Sequence, residues 1–152
     1  MRIYAEDTAA LIIDFQEKLV PAIANNEEVV AKAALFCAGL KELGVPMAVT
    51  QQYTKGLGDT VPAIKEAIGE FEAMEKMSFS AMGCEEFVAW VKAQGKKTIL
   101  VCGVEFHIEN NCGALPLGSA SFGKIKEYLI FPRLIFKVPS FIILGTKRSI
   151  ST

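Results

Sequence analysis

Along the first 108 residues, short continuous apolar runs alternate with longer segments whose apolar positions follow a helical period. Apolar runs without polar alternation are typical of strands that are buried on both faces of a parallel sheet. Three such strands are predicted, at Ala9–Asp14, Val45–Thr50 and Thr98–Cys102. Helices are predicted after Asn26, at Ala63–Ile68 and at Cys84–Gln94.

The first long helix carries recognisable signals at both ends. Asn26 is expected to cap it, because an asparagine side chain accepts hydrogen bonds from the first free N–H groups of a helix. Glu27 and Glu28 then fall in the first turn, where negative charge is favoured. Gly44 is expected to end the helix, since glycine adopts the left-handed conformation at low cost.

The order of these elements predicts an α/β fold with three layers, α/β/α, and a mostly parallel, Rossmann-like sheet. In such sheets, ligands bind beyond the carboxyl ends of the strands. Three places therefore become candidate site positions: Asp14, the loop after Thr50, and the corner Gly103–Val104–Glu105. Asp14 stands out because a carboxylate that closes a buried strand must have its desolvation compensated.

The composition limits the kinds of protein that this chain can be. Its 152 residues are 51% hydrophobic and 22% charged, with a formal net charge of -1, and we expect one domain spanning residues 1–152. These values exclude a disordered chain, an acidic tail protein and a nucleic-acid binder that relies on bulk charge. Four scattered cysteines without a Cys-x-x-Cys pair indicate neither a disulfide scaffold nor a zinc site. Because acids interrupt the N-terminal sequence MRIYAEDT, where a signal peptide needs apolar residues, we expect a cytoplasmic protein.

Charge and pattern change along the chain. Residues 1–108 carry 10 basic and 15 acidic side chains, whereas residues 109–152 carry 6 basic and 2 acidic ones. The segment 129–144 is strongly apolar, but prolines and basic residues interrupt it, so it predicts two short strands or an irregular tail and not a membrane span. We therefore expect the first region to form the core, the second to be a divergent C-terminal segment, and the sheet to be incomplete at its C-terminal end.

Three segments carry a resemblance to a known family: Leu11–Gln16, Lys76–Met82 and Val101–Ile108. In order and spacing they resemble the isochorismatase-like cysteine hydrolases over residues 1–108. The stretch Gln51–Pro62 is similar to the isochorismatase-domain-containing branch of that family. The resemblance implies a hydrolase that acts on a small amide or a vinyl-ether-like substrate and forms homo-oligomers.

The resemblance also implies roles for individual side chains. Asp14 would be the base that takes a thiol proton and later activates water, and Lys76 would support developing negative charge. The peptide between Val104 and Glu105 would donate a hydrogen bond to an oxyanion. Two aromatic residues are expected to line the pocket, Tyr53 and Phe79. For the first of them, simple packing within its own loop is the alternative.

The nucleophile is the point at which this chain departs from the family pattern. The family has a cysteine directly after the Gly-Val-Glu-x-His-Ile corner, and Glu109 occupies that position here. A carboxylate there is a poor acyl acceptor and would repel Asp14 across a small pocket. Cys112 follows three residues later, which places it about one helical turn further on and roughly on the same face. We therefore take Cys112 as the candidate catalytic thiol.

No metal or other cofactor is expected. Metal-binding relatives of this family combine an aspartate with two histidines, and His107 is the single histidine of the chain. His107 is interpreted as a structural hydrogen-bonding group. The expected partner is a small-molecule substrate, with no nucleic acid and no membrane, because the basic residues of the C-terminal segment are sparse.

Three hypotheses of function remain open from the sequence. The first is a cysteine-type hydrolase that uses Asp14, Lys76 and Cys112. The second is a catalytically inactive relative that serves as a binding or oligomerisation module, since Glu109 occupies the nucleophile position. The third is a truncated or frame-altered product, motivated by the change in charge and pattern after residue 108.

Overall fold

The core of the protein is a five-stranded sheet in which every neighbouring pair of strands is parallel. The computed structural model describes residues 3–78, 81–104 and 126–129. Within them the strands are β1 Thr8–Ile13, β2 Met47–Gln52, β3 Ala73–Lys76, β4 Thr98–Gly103 and β5 Lys126–Leu129. Their order across the sheet is β3-β2-β1-β4-β5. The predicted α/β fold with a parallel sheet is confirmed.

Helices cover both faces of this sheet. They are α1 Asn26–Glu42, α2 Thr54–Leu57, α3 Pro62–Ile68 and α4 Glu85–Gln94. Helices α1 and α3 pack with alternate residues of the strands in one apolar cluster, and α4 packs with the other residues in a second cluster. Ile12 therefore faces α1, whereas Leu11 and Ile13 face α4, which explains why β1 is apolar throughout. No helix among the described residues is long and apolar enough to cross a membrane.

The observed ends of α1 correct one prediction and confirm another. The N-cap residue is Asn25, not Asn26, and its left-handed backbone (φ 55°) leaves the side chain without a capping hydrogen bond. Gly44, with φ 66°, follows the helix in the left-handed conformation, as predicted. The backbone N–H of Val45 then donates to the carbonyl of Leu40 at 2.9 Å. Val45 thus belongs to the helix end, and β2 begins two residues later than predicted.

Two strands were not predicted from the pattern. Strand β3 has only four residues and lies at an edge of the sheet, and it includes Glu75 and Lys76, so it shows no continuous apolar run. Strand β5 lies in the C-terminal region, whose charge and pattern differ from those of residues 1–108, and it pairs with β4 in parallel from Thr98↔Lys126 to Val101↔Leu129. The apolar segment after Leu129, for which two short strands or an irregular tail were predicted, lies outside the described residues.

The strand order creates a topological switch point between β1 and β4. From β1 the chain proceeds outwards through β2 to β3, then returns to place β4 on the other side of β1. The backbones approach closely here: a Cβ on Gly103 would lie 2.8 Å from Cβ of Ile13 and 3.2 Å from its carbonyl oxygen. Only glycine fits this position without a shift. Such switch points, at the carboxyl ends of the strands, are where open α/β sheets bind ligands.

Candidate active site

Asp14 is the first residue beyond β1 and lies at the switch point. Its backbone adopts the left-handed conformation with φ 55°, and its side chain is fully buried. Its N–H donates to the carbonyl of Thr50 on β2 at 3.1 Å. Aspartate is among the few non-glycine residues that tolerate this conformation, and such local strain is concentrated at functional sites.

Lys76, the last residue of β3, reaches across β2 to pair with Asp14. Its Nζ donates to Oδ2 of Asp14, and both side chains are 0% exposed. The same Nζ also donates to Oε1 of Gln52 and to the carbonyl oxygen of Ser78, at 3.3 Å each. The ammonium is therefore held between a carboxylate, an amide and a peptide group from three segments of the chain.

The other carboxylate oxygen of Asp14 is held by β2. The hydroxyl of Thr50 donates to Oδ1 at 3.2 Å, inside the buried region. One oxygen of the carboxylate thus contacts a hydroxyl and the other contacts an ammonium. This arrangement fixes the plane of the carboxylate and leaves its remaining lone pairs as acceptors for a proton or a water molecule.

Gln16, two residues after Asp14, connects the ends of β1 and β2. Its buried side chain pairs with the backbone of Gln52, accepting from that residue's N–H at 2.7 Å and donating to its carbonyl at 3.0 Å. A further hydrogen bond runs from Nε2 of Gln16 to the carbonyl of Gly58 at 2.7 Å. Because the side chain of Gln52 contacts Lys76, Gln16 indirectly holds the lysine as well.

Tyr53 lies at the carboxyl end of β2, beside the ion pair. Its N–H donates to the carbonyl of Lys76 at 3.1 Å, and its backbone is left-handed, with φ 40°. Its ring packs over Gly56, where a Cβ would lie 2.1 Å from Cε1 of the tyrosine. The side chain is half exposed, so its position agrees with the mouth of a site, while its packing on α2 is the alternative that the sequence left open.

The structure places only part of the predicted constellation. Asp14, Lys76 and Val104 are described, whereas Glu105 and three further predicted site residues lie outside the described residues: Phe79, Glu109 and Cys112. His107, interpreted as a structural hydrogen-bonding group, also lies outside them. The N–H of Val104 itself donates to the carbonyl of Ile13 at 3.4 Å. The predicted oxyanion donor, the next N–H along the chain, remains a prediction.

Three described cysteines, Cys37, Cys84 and Cys102, are free thiols that lie buried in the apolar core. Burial raises the pKa of Cys37 to about 11, and burial together with the neighbouring Cys37 raises the pKa of Cys102 to about 12. Cys84 is also buried, and its thiol donates to the carbonyl of Glu75 at a sulfur–oxygen distance of 3.7 Å. The raised pKa values keep the thiols of Cys37 and Cys102 protonated at neutral pH, which makes them poor nucleophiles.

Sequence reasoning missed the two residues that hold the charged pair in place. Thr50 was predicted only as the end of a strand, and Gln16 only as part of a family segment. Polar residues at the carboxyl end of an otherwise apolar strand, as in Thr50–Gln52, are the signal that points to them.

One known protein family matches most of the described chain. The family description "Isochorismatase domain" matches residues 8–111, which include β1 to β4 and both members of the ion pair. The chain belongs to the isochorismatase family. The resemblance predicted from the three sequence segments is confirmed, and it ends near the residue at which the charge and pattern change.

Relatives of known sequence and structure agree with this family. Isochorismatase domain-containing protein 2 of Danio rerio is 32% identical over 117 residues, covering 76% of this chain and 58% of the relative. The MAR1 ribonuclease of Caenorhabditis elegans superposes with a TM-score of 0.61 at 28% identity, covering 69% of this chain and 54% of that one. An octameric hydrolase of unknown specificity from Escherichia coli, the YcaC gene product, gives a TM-score of 0.59 at 28% identity, covering 68% and 53%. The chain spans about half the length of the curated relatives it matches.

Proposed function

We propose that this isochorismatase-family chain is a hydrolase of a small amide or vinyl-ether-like substrate, with Asp14 and Lys76 in its active site. The proposal rests on the fully buried ion pair between these two side chains at the carboxyl ends of β1 and β3. A buried pair adds little net stability, because desolvation offsets most of the attraction. Its position at a topological switch point therefore favours a catalytic role. The E. coli relative, a hydrolase, supports the same reaction class.

The proposed nucleophile is the thiol of Cys112. For an amide, Asp14 accepts the thiol proton while sulfur bonds to the carbonyl carbon, and the proton then passes to the leaving nitrogen as the carbon–nitrogen bond breaks. Water next attacks the thioester, giving its proton to Asp14. That proton returns to the departing sulfur, so that the carboxylic acid leaves and the thiol is restored.

Lys76 and the backbone have electrostatic roles in this scheme. The Lys76 ammonium compensates the negative charge that develops as the thiol loses its proton, and it orients the Asp14 carboxylate through the bond to Oδ2. Thr50 holds the other carboxylate oxygen, so the base is positioned before substrate arrives. The N–H of Glu105 is the proposed donor to the tetrahedral oxyanion.

A cytoplasmic location completes the proposal. Cys37, Cys84 and Cys102 are all free thiols. Free thiols are the usual state of cysteine in reducing compartments, where disulfides are rare.

One sequence observation favours a second candidate function. Glu109 occupies the position at which the family has its cysteine. If Cys112 does not replace that nucleophile, the chain is an inactive relative that binds a small molecule or a further copy of itself.

A substrate panel with matched cysteine variants tests the proposal. Ammonia release from small primary amides, and cleavage of small vinyl ethers, would be measured with the wild-type chain, with Cys112→Ser and with Cys84→Ser. We expect hydrolysis of at least one substrate, loss of about 100-fold or more in Cys112→Ser, and little change in Cys84→Ser, because the buried Cys84 is not part of the proposed site. Undiminished hydrolysis in Cys112→Ser would reject the proposed nucleophile. No hydrolysis by the wild type would favour the inactive relative.

A further inference from the structure

Gln52 lies directly beside the buried ion pair. It is the last residue of β2 and is opposite Lys76, the last residue of β3, in the parallel register. Its side-chain oxygen, Oε1, accepts a hydrogen bond from Nζ of Lys76 at 3.3 Å. An ammonium group only donates and the amide nitrogen also only donates, so the oxygen is the atom of the carboxamide that can face Lys76.

The length of this hydrogen bond shows which partner dominates in the charged site. Hydrogen bonds from N–H to oxygen are usually about 2.7–3.2 Å long, so the contact of 3.3 Å with Gln52 is slightly stretched. The same ammonium also pairs with Oδ2 of Asp14, and a hydrogen bond between two charged groups is stronger than one to a neutral amide. While Asp14 is a carboxylate, Gln52 is therefore the weaker partner of Lys76.

The balance changes when Asp14 is protonated. In the proposed reaction this carboxylate takes a proton twice, once from the thiol and once from water. A neutral carboxylic acid no longer attracts the ammonium by charge, and lysine side chains at the edge of a fold extend towards water when nothing holds them. Gln52 and the carbonyl of Ser78 are neutral acceptors that stay within reach of Nζ.

We propose that Gln52 is a positioning residue that keeps the Lys76 ammonium in the site while Asp14 is protonated. This role rests on the proposed function, because the proposed reaction is what places a proton on Asp14. An amide suits the role better than a carboxylate does. A glutamate at position 52 would also hold the ammonium, but it would repel Asp14 whenever Asp14 is charged.

The carboxamide of Gln52 can be removed without removing the bonds that hold its backbone. Gln16 accepts from the N–H of Gln52 at 2.7 Å and donates to its carbonyl at 3.0 Å, and both contacts use main-chain atoms of Gln52. Gln52→Met therefore keeps the connection between β1 and β2 and deletes the acceptor for Lys76.

Acetylation of lysines in the folded full chain tests this role. Asp14→Asn imitates the protonated aspartate, because asparagine has a similar shape, no charge and tolerance of a positive φ. Wild type, Asp14→Asn, Gln52→Met and the double variant would be treated with trace acetic anhydride near neutral pH. Peptide mapping would give the rate at Lys76 relative to Lys97, whose side chain is 69% exposed.

The effect of Gln52→Met should depend on the charge at position 14. Lys76 should be labelled slowly in wild type, where its side chain is 0% exposed. Gln52→Met alone should change this rate by less than about threefold, because the Asp14 carboxylate still holds the ammonium. In Asp14→Asn the same substitution should raise the rate by about tenfold or more, because a hydrogen bond to a charged group is lost and no carboxylate compensates for it. A purely structural role of Gln52 would give equal changes in both backgrounds.

A neighbouring glutamine provides the matched control. The side chain of Gln51 is buried and donates to Asp59 and Thr60, so Gln51→Met also deletes a carboxamide from β2 but none of its printed contacts is with the ion pair. It should not speed the labelling of Lys76 in Asp14→Asn. Slow reaction of the buried Cys102 with iodoacetamide verifies that each variant is folded. If Asp14→Asn does not fold, Asp14→Gly replaces it, since glycine also fits the positive φ.

Three results would overturn the role of Gln52. They are a double variant whose Lys76 is labelled no faster than in Asp14→Asn, an equal effect of Gln52→Met in both backgrounds, and an equal acceleration by Gln51→Met. Acetylation needs no substrate, so it is independent of the hydrolysis assay. Hydrolysis by wild type together with any of these three results would reject the role of Gln52 and leave the proposed function standing. Background-dependent labelling without hydrolysis would reject the proposed function alone.

Discussion

Strand β1 has an aspartate beyond each of its ends, and each aspartate pairs with a lysine. At the amino end, Asp7 pairs with Lys97 at 2.9 Å, and their side chains are 38% and 69% exposed. At the carboxyl end, Asp14 pairs with Lys76, and both side chains are 0% exposed. The residue types are the same, but water solvates one pair and only the protein solvates the other.

This difference separates an ordinary surface contact from a candidate site. When the exposed Asp7–Lys97 pair separates, water hydrates both charges, so the pair contributes little to the free energy of unfolding. The buried pair depends on Thr50, Gln52 and the carbonyl of Ser78 for the interactions that water would otherwise supply. A buried ion pair adds little net stability to the sheet. Its presence at the carboxyl end of β1 therefore indicates a functional role for that end.

The largest effect is expected from removing one member of the buried pair. Lys76→Met leaves the Asp14 carboxylate buried without its cation, which should lower the free energy of unfolding by about 3–5 kcal/mol. Urea unfolding monitored by the fluorescence of Trp90, the single tryptophan, measures this. Adding Asp14→Asn to Lys76→Met should restore at least about 1 kcal/mol, because asparagine is neutral and tolerates a positive φ. A double variant less stable than the single one would contradict the account.

An intermediate effect on stability is expected at Gln16, which connects the ends of β1 and β2. Gln16→Leu removes three partly buried hydrogen bonds and leaves the Gln52 and Gly58 carbonyls without their donor, which should lower the free energy of unfolding by about 2–3 kcal/mol. Gln16→Glu is the matched variant of similar shape. Its carboxylate would face those two carbonyl oxygens, so its folded-state pKa should lie above its unfolded value.

The pH dependence of Gln16→Glu follows from that direction. Below the unfolded pKa the glutamic acid is protonated in both states, so the loss of stability relative to wild type is smallest there. As the pH rises through the folded pKa, the loss should grow to its full size. Urea unfolding of both proteins from acidic to neutral pH measures the difference, and a loss that shrinks with rising pH would be inconsistent with this packing.

The smallest effect is expected at the exposed pair. Lys97→Met should change the free energy of unfolding by no more than about 0.5 kcal/mol, because both charges are largely hydrated. The same urea titration measures it beside Lys76→Met. If Lys97→Met and Lys76→Met lowered the free energy of unfolding equally, the exposed pair and the buried pair would not differ in the way described here.

Much of the fold was predictable because its signals are local. The apolar runs of β1 and β4 and the glycines that end α1 and α4 are visible in short stretches of sequence, and the order of elements then implies a parallel sheet. Strand β3 was not predictable in this way. It is a short edge strand whose last residue, Lys76, is charged, and its place in the sheet depends on pairing with β2.

The site was predictable only in part, because its contacts join distant positions. Asp14 was recognisable from its place after an apolar strand, and Lys76 from the family resemblance. No local pattern shows that Gln16 pairs with the backbone of Gln52, 36 residues away, or that Thr50 holds the carboxylate of Asp14. These partners become evident only when the parallel register aligns the carboxyl ends of the strands.

The most direct test of the central claim, that the buried pair is a functional centre, is the rate at which iodoacetamide labels each thiol of the full chain near neutral pH. Peptide mapping would compare wild type with Asp14→Asn. We predict that Cys112 labels much faster than Cys84 in wild type and slows in Asp14→Asn, while the buried Cys84, Cys37 and Cys102 stay slow and thereby report that the variant remains folded. A Cys112 that labels no faster than Cys84, or whose rate does not depend on Asp14 in a folded variant, would contradict the claim.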